Sequence, residues 1–539
     1  MRKVRGSGLG VRVPGCHPWG RAGRLAIGLV ACAALGCDGS RPPAAGQRAG
    51  TEDAATLEVA SRATVPPATA GGADRRPDGA PSRSEGGSAL SHVSTERLGG
   101  REESPDPPTR PVWADLLEVP DSPSRMMPEY PRIEVDEARA AAAGIRGLSS
   151  RRLALYTDLP PGDEVDALPE VFDQAFPQWC EYFRVDPRDL GDWHLTGFLM
   201  EDKSRFVRAG LYRDGLPDFK DGFSWNYDFW LYEQPSDYYR RHLLLHEGTH
   251  GFMNTVLGAC GPPWYMEGIA ELMGTHRWHE GRLTMNHIPA DRDEAPMWGR
   301  IRVIKDDFAA GRANSLEGVL GWRPAGHAGT DPYSWCWAAA AFLDRHPRAR
   351  EHFRSLPRLV RQADFHERFL QLLGDDWDAL REEWQIFVAG IEYGHDVGRT
   401  AVDFTPGQPL PATGARVQVA ADRGWQNSRL RLEAGMTYHI RASGRYPLGD
   451  RPQVWWCEPG GVSIRYYQGR PLGILLGAVR PDEPWQGGPS PLIRPVVLGL
   501  EAALTPARSG TLFLRVNDSA AELDDNAGTL TVEVRAERG

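Results

Sequence analysis

The chain has 539 residues, of which 25% are charged, and a formal net charge of -10. So mild an acidic excess gives no support for nucleic-acid binding, which calls for a clustered basic surface. Its seven cysteines, without CxxC spacing, exclude a disulfide framework and a thiolate zinc site; one or two disulfides remain open among Cys180, Cys260, Cys336 and Cys457.

In chain order, Arg2, Lys3, Arg5, Arg12, Arg21 and Arg24 precede an apolar run from Leu25 to Leu35, followed by Gly36-Cys37. A basic start, a short apolar stretch and small residues at its end describe an export signal over residues 1–37. The run falls short of the ~20 apolar residues of a membrane-spanning helix. Cys37, directly after Ala-Leu-Gly, resembles the lipobox of bacterial lipoproteins, although Ala34 and Leu35 stand where that family has Leu and a small residue. The resemblance implies lipidation of Cys37 and an anchor in the cell envelope; the alternative is an ordinary periplasmic or secreted protein. Residues 38–111 are Ala, Gly, Pro, Ser, Arg and Glu with almost no aromatics. Such a stretch cannot bury enough apolar surface to offset its ordering entropy, and it reads as a disordered tether.

Two folded regions follow, residues 112–398 and 399–539, with a change of texture near Val402. The first opens with a strand at Arg152–Tyr156 and a helix over Glu164–Phe183. Strands are expected at Trp193–Leu199, Phe206–Tyr212 and Phe229–Tyr232. Ser236 is a good N-cap and Asp237 suits a helix start, so Tyr238–Leu257 reads as one helix closed by Gly258. Within it lies His246-Glu247-Gly248-Thr249-His250. Two histidines four apart share a helix face and can hold Zn²⁺, with a carboxylate beside the first to work on water. Catalytic zinc takes a third protein ligand. Met253 and Val256 stand where the metzincin pattern requires Gly and His, which excludes that class. A glutamate on a following helix is the other solution, and Trp264-Tyr-Met-Glu267-Gly-Ile-Ala-Glu271 supplies one.

As a pair, the two motifs resemble the gluzincin arrangement, W-x-x-E-G-x-A-E after HExxH, closest to peptidase-MA-like and related aminopeptidase groups. The resemblance covers roughly residues 153–394. It implies an α+β zincin-like domain with a mixed sheet, the HExxH helix and a helical C-terminal part. It also implies zinc held by His246, His250 and Glu267, Glu247 as general base, and Glu271 as the carboxylate behind the first histidine. Glu271 sits one turn from Glu267, where an outer carboxylate fixes the tautomer of a ligating imidazole. Related gluzincins use a downstream tyrosine to stabilise the oxyanion. Tyr333, at the start of a helix opened by Asp331-Pro332, is the candidate, and Tyr265 is the other. His242, His276, His279 and His287 read as surface or hydrogen-bonded histidines. No GxMEN-like exopeptidase motif precedes the helix, so endopeptidase action stays open.

From Val402 to Val534 short strands alternate with Gly/Pro/Asp turns, which reads as an all-β sandwich. Leu430–Gly444 is expected to be a hairpin and turn. Asp518, Asp525 and Asn526, before Ala527-Gly528, resemble the cation-binding residues of the calcium-dependent galactophilic lectin fold, with a tyrosine carbonyl, Tyr446, as a further ligand. Oxygen donors clustered on loops suit Ca²⁺. The lectin's sugar-contacting loop is not recognisable around Trp455–Gly460, so a glycan or cell-surface ligand is a weaker expectation.

The leading reading is an exported, lipid-anchored zinc peptidase acting on a peptide or protein substrate, with a β-sandwich accessory domain. The alternative is a surface binding protein or adhesin whose metallopeptidase-like domain no longer cleaves; the intact Glu247 argues against it.

Overall fold

The computed structural model describes residues 130–323, 331–450 and 453–537. The export signal, Cys37 and the tether lie outside the described residues, as does the start of the 112–398 region. All described residues fall in one unit. It is a mixed α+β assembly in which a helix-rich part precedes a β-rich C-terminal part. Among the described residues no helix is long and apolar enough to cross a membrane.

The first sheet has five strands: β1 (Arg146–Ser149), β2 (Leu153–Thr157), β3 (Leu195–Met200), β4 (Gly222–Trp225) and β5 (Asp228–Tyr232), in the order β1-β2-β3-β5-β4. β2, β3 and β5 run parallel, while β1 and β4 are antiparallel edges. Every residue of β3 is buried, as a central strand covered on both faces requires. On one face lie α1 (Leu168–Phe183) and the motif helix, with Phe172, Trp179, Phe229, Leu244 and Phe252 in a common core. On the other face Phe198, Phe206, Phe223 and Trp230 form a smaller cluster.

Two expectations are corrected here. Phe206–Tyr212 is not a strand, because α2 (Lys203–Ala209) occupies most of it. Asp202 caps that helix by accepting from Ser204 N, and Gly210 closes it at φ 78°; Phe206 and Ala209, three apart, face the core. The end signals outweigh a short apolar run that fits either period. The helix expected at Glu164–Phe183 is also interrupted at Ala167, with Pro169 inside the first turn of α1.

The helical part continues with α3 (Asp237–Phe252), α4 (Pro263–Gly274), α5 (Arg300–Ala309), α6 (Pro332–Arg345) and α7 (Trp377–Ala389). A turn of π-helix, Met253–Leu257, extends α3 to Gly258, which is left-handed at φ 81°.

The C-terminal part is two packed sheets. One contains β7 (Gln426–Leu432), β9 (Leu475–Arg480) and β11 (Gly510–Val516), and the other β6 (Ala415–Ala420), β8 (Tyr438–Ser443), β10 (Glu501–Leu504) and β12 (Thr529–Ala536). Their inward residues, Leu432, Ile440, Leu512, Leu514, Val532 and Val534, form one core. Leu430–Gly444 is therefore not a hairpin. β7 pairs with β11, and β8 pairs with β10 and β12, so the Gly435 turn carries the chain from one sheet to the other. Two alternating strands around a short turn look the same in sequence whether they pair or arch across a core. The four cysteines at 180, 260, 336 and 457 are free and buried.

Helix α7 joins the two parts. Glu382 is fully buried and accepts from Arg480 Nε at 2.9 Å and from Ser490 Oγ at 2.8 Å. Its neighbour Glu383 accepts from Val402 N at 2.7 Å and meets His346 Nε2 at 2.9 Å, with Arg348 beside it.

Candidate metal centre

Helix α3 begins at Ser236, whose side chain accepts from Tyr239 N, and from Arg240 to Phe252 every residue is buried. What sets its rotation is Gly248. A Cβ there would lie 2.6 Å from Phe172 and 2.9 Å from Trp179, so the glycine lets α3 close onto α1. Trp179 Nε1 donates to Thr249 Oγ1 at 2.9 Å, and Thr249 Oγ1 donates to Leu245 O at 2.7 Å. With that side turned to α1, His246 and His250 face α4. On α4, Gly268 permits close packing against α6, since a Cβ there would meet Cys336 O at 2.9 Å.

The three expected ligands come together. His246 Nε2 and His250 Nε2 are 3.1 Å apart, and Glu267 Oε2 lies 3.4 Å from the first and 3.5 Å from the second. All three residues are at most 4% exposed. Burial pulls the His246 imidazole down, but the nearby carboxylates of Glu267 and Glu271 outweigh it and lift its pKa to about 10. Burial pushes Glu267 up, but His250 and His246 outweigh it and bring it to about 2. Two imidazole nitrogens and a carboxylate oxygen aimed at one point, away from water, form a donor set that suits zinc.

Behind them, Glu271 Oε1 is 3.4 Å from His246 Nδ1, as expected of the outer carboxylate. Glu247 is 1% exposed, with Oε2 lacking a hydrogen-bond partner. It lies against β4: a Cβ on Gly222 would fall 2.6 Å from Glu247 Oε1. Burial raises the Glu247 pKa, against the pull of His246 and His250.

Tyr333 stands in the first turn of α6, its ring centroid 6.5 Å from that of His246. Tyr265 lies in the core. Its ring is packed between Phe353 and Phe365, and its hydroxyl is buried without a partner. Of the other histidines, His276 is buried against Gly274 O, His279 is exposed, and His287 pairs with Glu294 at 3.0 Å. His242 is not at the surface: it is fully buried, one turn before His246, with Nε2 3.4 Å from Glu271 Oε2. The H-x-x-x-H-x-x-x-H spacing was visible in the sequence. Nothing in it flagged Arg300, which binds Glu271, or Gly222 under Glu247.

In the C-terminal part Asp518 and Asn526 meet. Asp518 Oδ2 accepts from Asn526 Nδ2 at 2.9 Å and Oδ1 from Ser519 N at 2.7 Å; Asn526 Oδ1 is buried without a partner. Tyr446 is buried, its hydroxyl donating to Gly473 O at 2.5 Å, and the adjoining Leu448 bridges to Asn526. Asp525 is exposed, its Oδ2 3.3 Å from where a Cβ on Gly449 would lie. Burial lifts the Asp518 pKa to about 6, against hydrogen bonds from Asn526 and Ser519.

No family model matches the chain. No curated protein matches it either. Among solved structures, the N-terminal domain of EclA, a PllA-like lectin, aligns at 24% identity over 23% of this chain and 95% of its own length, with a TM-score of 0.17. The structure of IMPa from Pseudomonas aeruginosa in complex with an O-glycopeptide aligns at 16% identity over 48% of this chain and 25% of its own, with a TM-score of 0.15. Neither likeness places the chain in a family.

Proposed function

We propose that the protein is an exported, zinc-dependent peptidase, and the convergence of His246, His250 and Glu267 carries the reading. Bound zinc would supply Lewis acidity to water and to a substrate carbonyl. Glu247, desolvated beside the triad, takes a proton from water and passes it to the leaving amine. Tyr333, whose ring centroid lies 6.5 Å from that of His246, would donate to the developing oxyanion. β4 ends its sheet next to Glu247, and no strand among the described residues pairs with its outer edge, where an extended peptide would align. A non-cleaving adhesin has no use for so costly a buried carboxylate as Glu247.

The test is cleavage of casein and a peptide library by the purified protein, by chelator-stripped protein and by stripped protein with zinc restored. Loss on stripping and recovery with zinc is expected; equal cleavage in all three overturns the reading. Zinc binding also has a proton signature. Below about pH 10 His246 is protonated in the metal-free protein, whereas Glu267, at about 2, is already ionised at neutral pH. Zinc must displace the His246 proton, so affinity rises with pH. Calorimetry in buffers of different ionisation enthalpy should read net proton release on zinc binding at pH 7.

For the β-rich part we infer a Ca²⁺ site at Asp518 and Asn526, supported by their buried oxygens. The folded-state pKa of Asp518, about 6, lies above its ordinary 3.8, so its contribution is complete below pH 3.8 and is lost as pH rises through 6. The loss reaches about 3 kcal/mol for a shift of this size. Melting of metal-free protein should fall over that window, Asp518→Asn should flatten the fall, and millimolar Ca²⁺ should restore the parent at neutral pH. No effect of Ca²⁺ on the parent would remove the site.

A further inference from the structure

Arg300 is delivered to the metal centre by a constrained turn. Met297 and Gly299 are both left-handed, at φ 69° and 64°. A residue with a side chain takes that conformation only where its surroundings demand it. Between them Trp298 is 1% exposed and packs edge-on against Trp337 of α6, centroids 4.6 Å apart. The turn is thus anchored on the helix that carries Tyr333.

From there the guanidinium makes a planar two-point contact. Nε donates to Glu271 Oε2 at 3.0 Å and Nη2 to Glu271 Oε1 at 2.9 Å. Nη2 also lies 3.4 Å from Tyr239 Oη, and Nη1 lies 3.7 Å from Asp331 Oδ2. Asp331 is the N-cap of α6 and accepts from Tyr333 N at 3.0 Å. Glu271 in turn sits 3.4 Å from both His246 Nδ1 and His242 Nε2, one oxygen to each.

We propose that Arg300 is a positioning residue, holding the Glu271 carboxylate in the plane that fixes His246 and tying the start of α6, with Tyr333, to the same centre. The proposal deepens the zinc reading and rests on it. An imidazole offers a lone pair from Nε2 only when its proton is on Nδ1, and that proton needs a fixed acceptor. A carboxylate rotates freely about its last bond unless two donors set its plane, which a guanidinium fork does and a lysine ammonium cannot.

The experiment is chelator competition for zinc on the parent, Arg300→Lys and Asp331→Asn, with melting of each metal-free protein and steady-state kinetics alongside. Arg300→Lys keeps the charge and loses the fork. It should melt near the parent and bind zinc about 10–100-fold more weakly. Asp331→Asn keeps Oδ1 to cap α6 and weakens the contacts of Oδ2, to Arg300 at 3.7 Å and to Ser334 Oγ at 3.0 Å. It should hold zinc as the parent does and lower kcat with little change in KM. Parental zinc affinity in folded Arg300→Lys overturns the proposal while leaving the zinc reading intact. A parent that binds no zinc overturns both. Should Arg300→Lys fail to fold, Asp331→Asn decides, and an unchanged kcat overturns the proposal.

Discussion

Replacing Glu247 with glutamine is expected to lower kcat for peptide hydrolysis by about 10²–10⁴-fold, the usual contribution of a positioned acid–base group. Glutamine has the shape of glutamate, so the close approach of β4 at Gly222 is preserved. Glu247 is not among the converging donors, so zinc content should not change. Stability should hold or rise, because a carboxylate 1% exposed, with one oxygen lacking a partner, costs folding free energy that a neutral amide largely avoids. Steady-state kinetics, metal analysis and a thermal melt on the same preparation check all three. An undiminished kcat would show that Glu247 carries no proton, and lost zinc would place it among the ligands.

The second large effect is expected at the junction of the two parts. Glu382→Ala leaves Arg480, 12% exposed, without its carboxylate and Ser490 without its acceptor. Removing one member of a buried ion pair costs about 3–5 kcal/mol, mostly from the charge left behind. Removing both charges together, as Glu382→Met with Arg480→Met, should recover much of that loss, because no unpaired charge remains. Chemical denaturation of the three proteins reads the comparison. A single variant as stable as the parent would mean that the pair is not buried in solution.

Much of the centre was legible because its logic is local. The i, i+4 spacing of His246 and His250, the Ser236 cap and the Glu267/Glu271 pair are fixed by helix geometry, whatever the helix packs on. Tyr333 was reachable through the Asp331-Pro332 helix start. Two of the errors share one cause. Phe206–Tyr212 and Leu430–Gly444 are short segments whose apolar spacing fits more than one structure, and partners distant in sequence decide between them.

The sequence alone determined which side chains could serve as ligands, the two helices that present them and the β character of the C-terminal region, because each follows from periodicity and end signals within a few turns of chain. Only the tertiary structure decided which face of α3 meets α4, since that depends on Phe172 and Trp179 closing over Gly248. It likewise placed Arg300, 29 residues beyond Glu271, as the cation behind the site, and set Tyr265 in the core and Tyr333 beside His246. Those assignments rest on long-range packing, in which the burial of one side chain fixes the direction of another, and no local pattern encodes that choice.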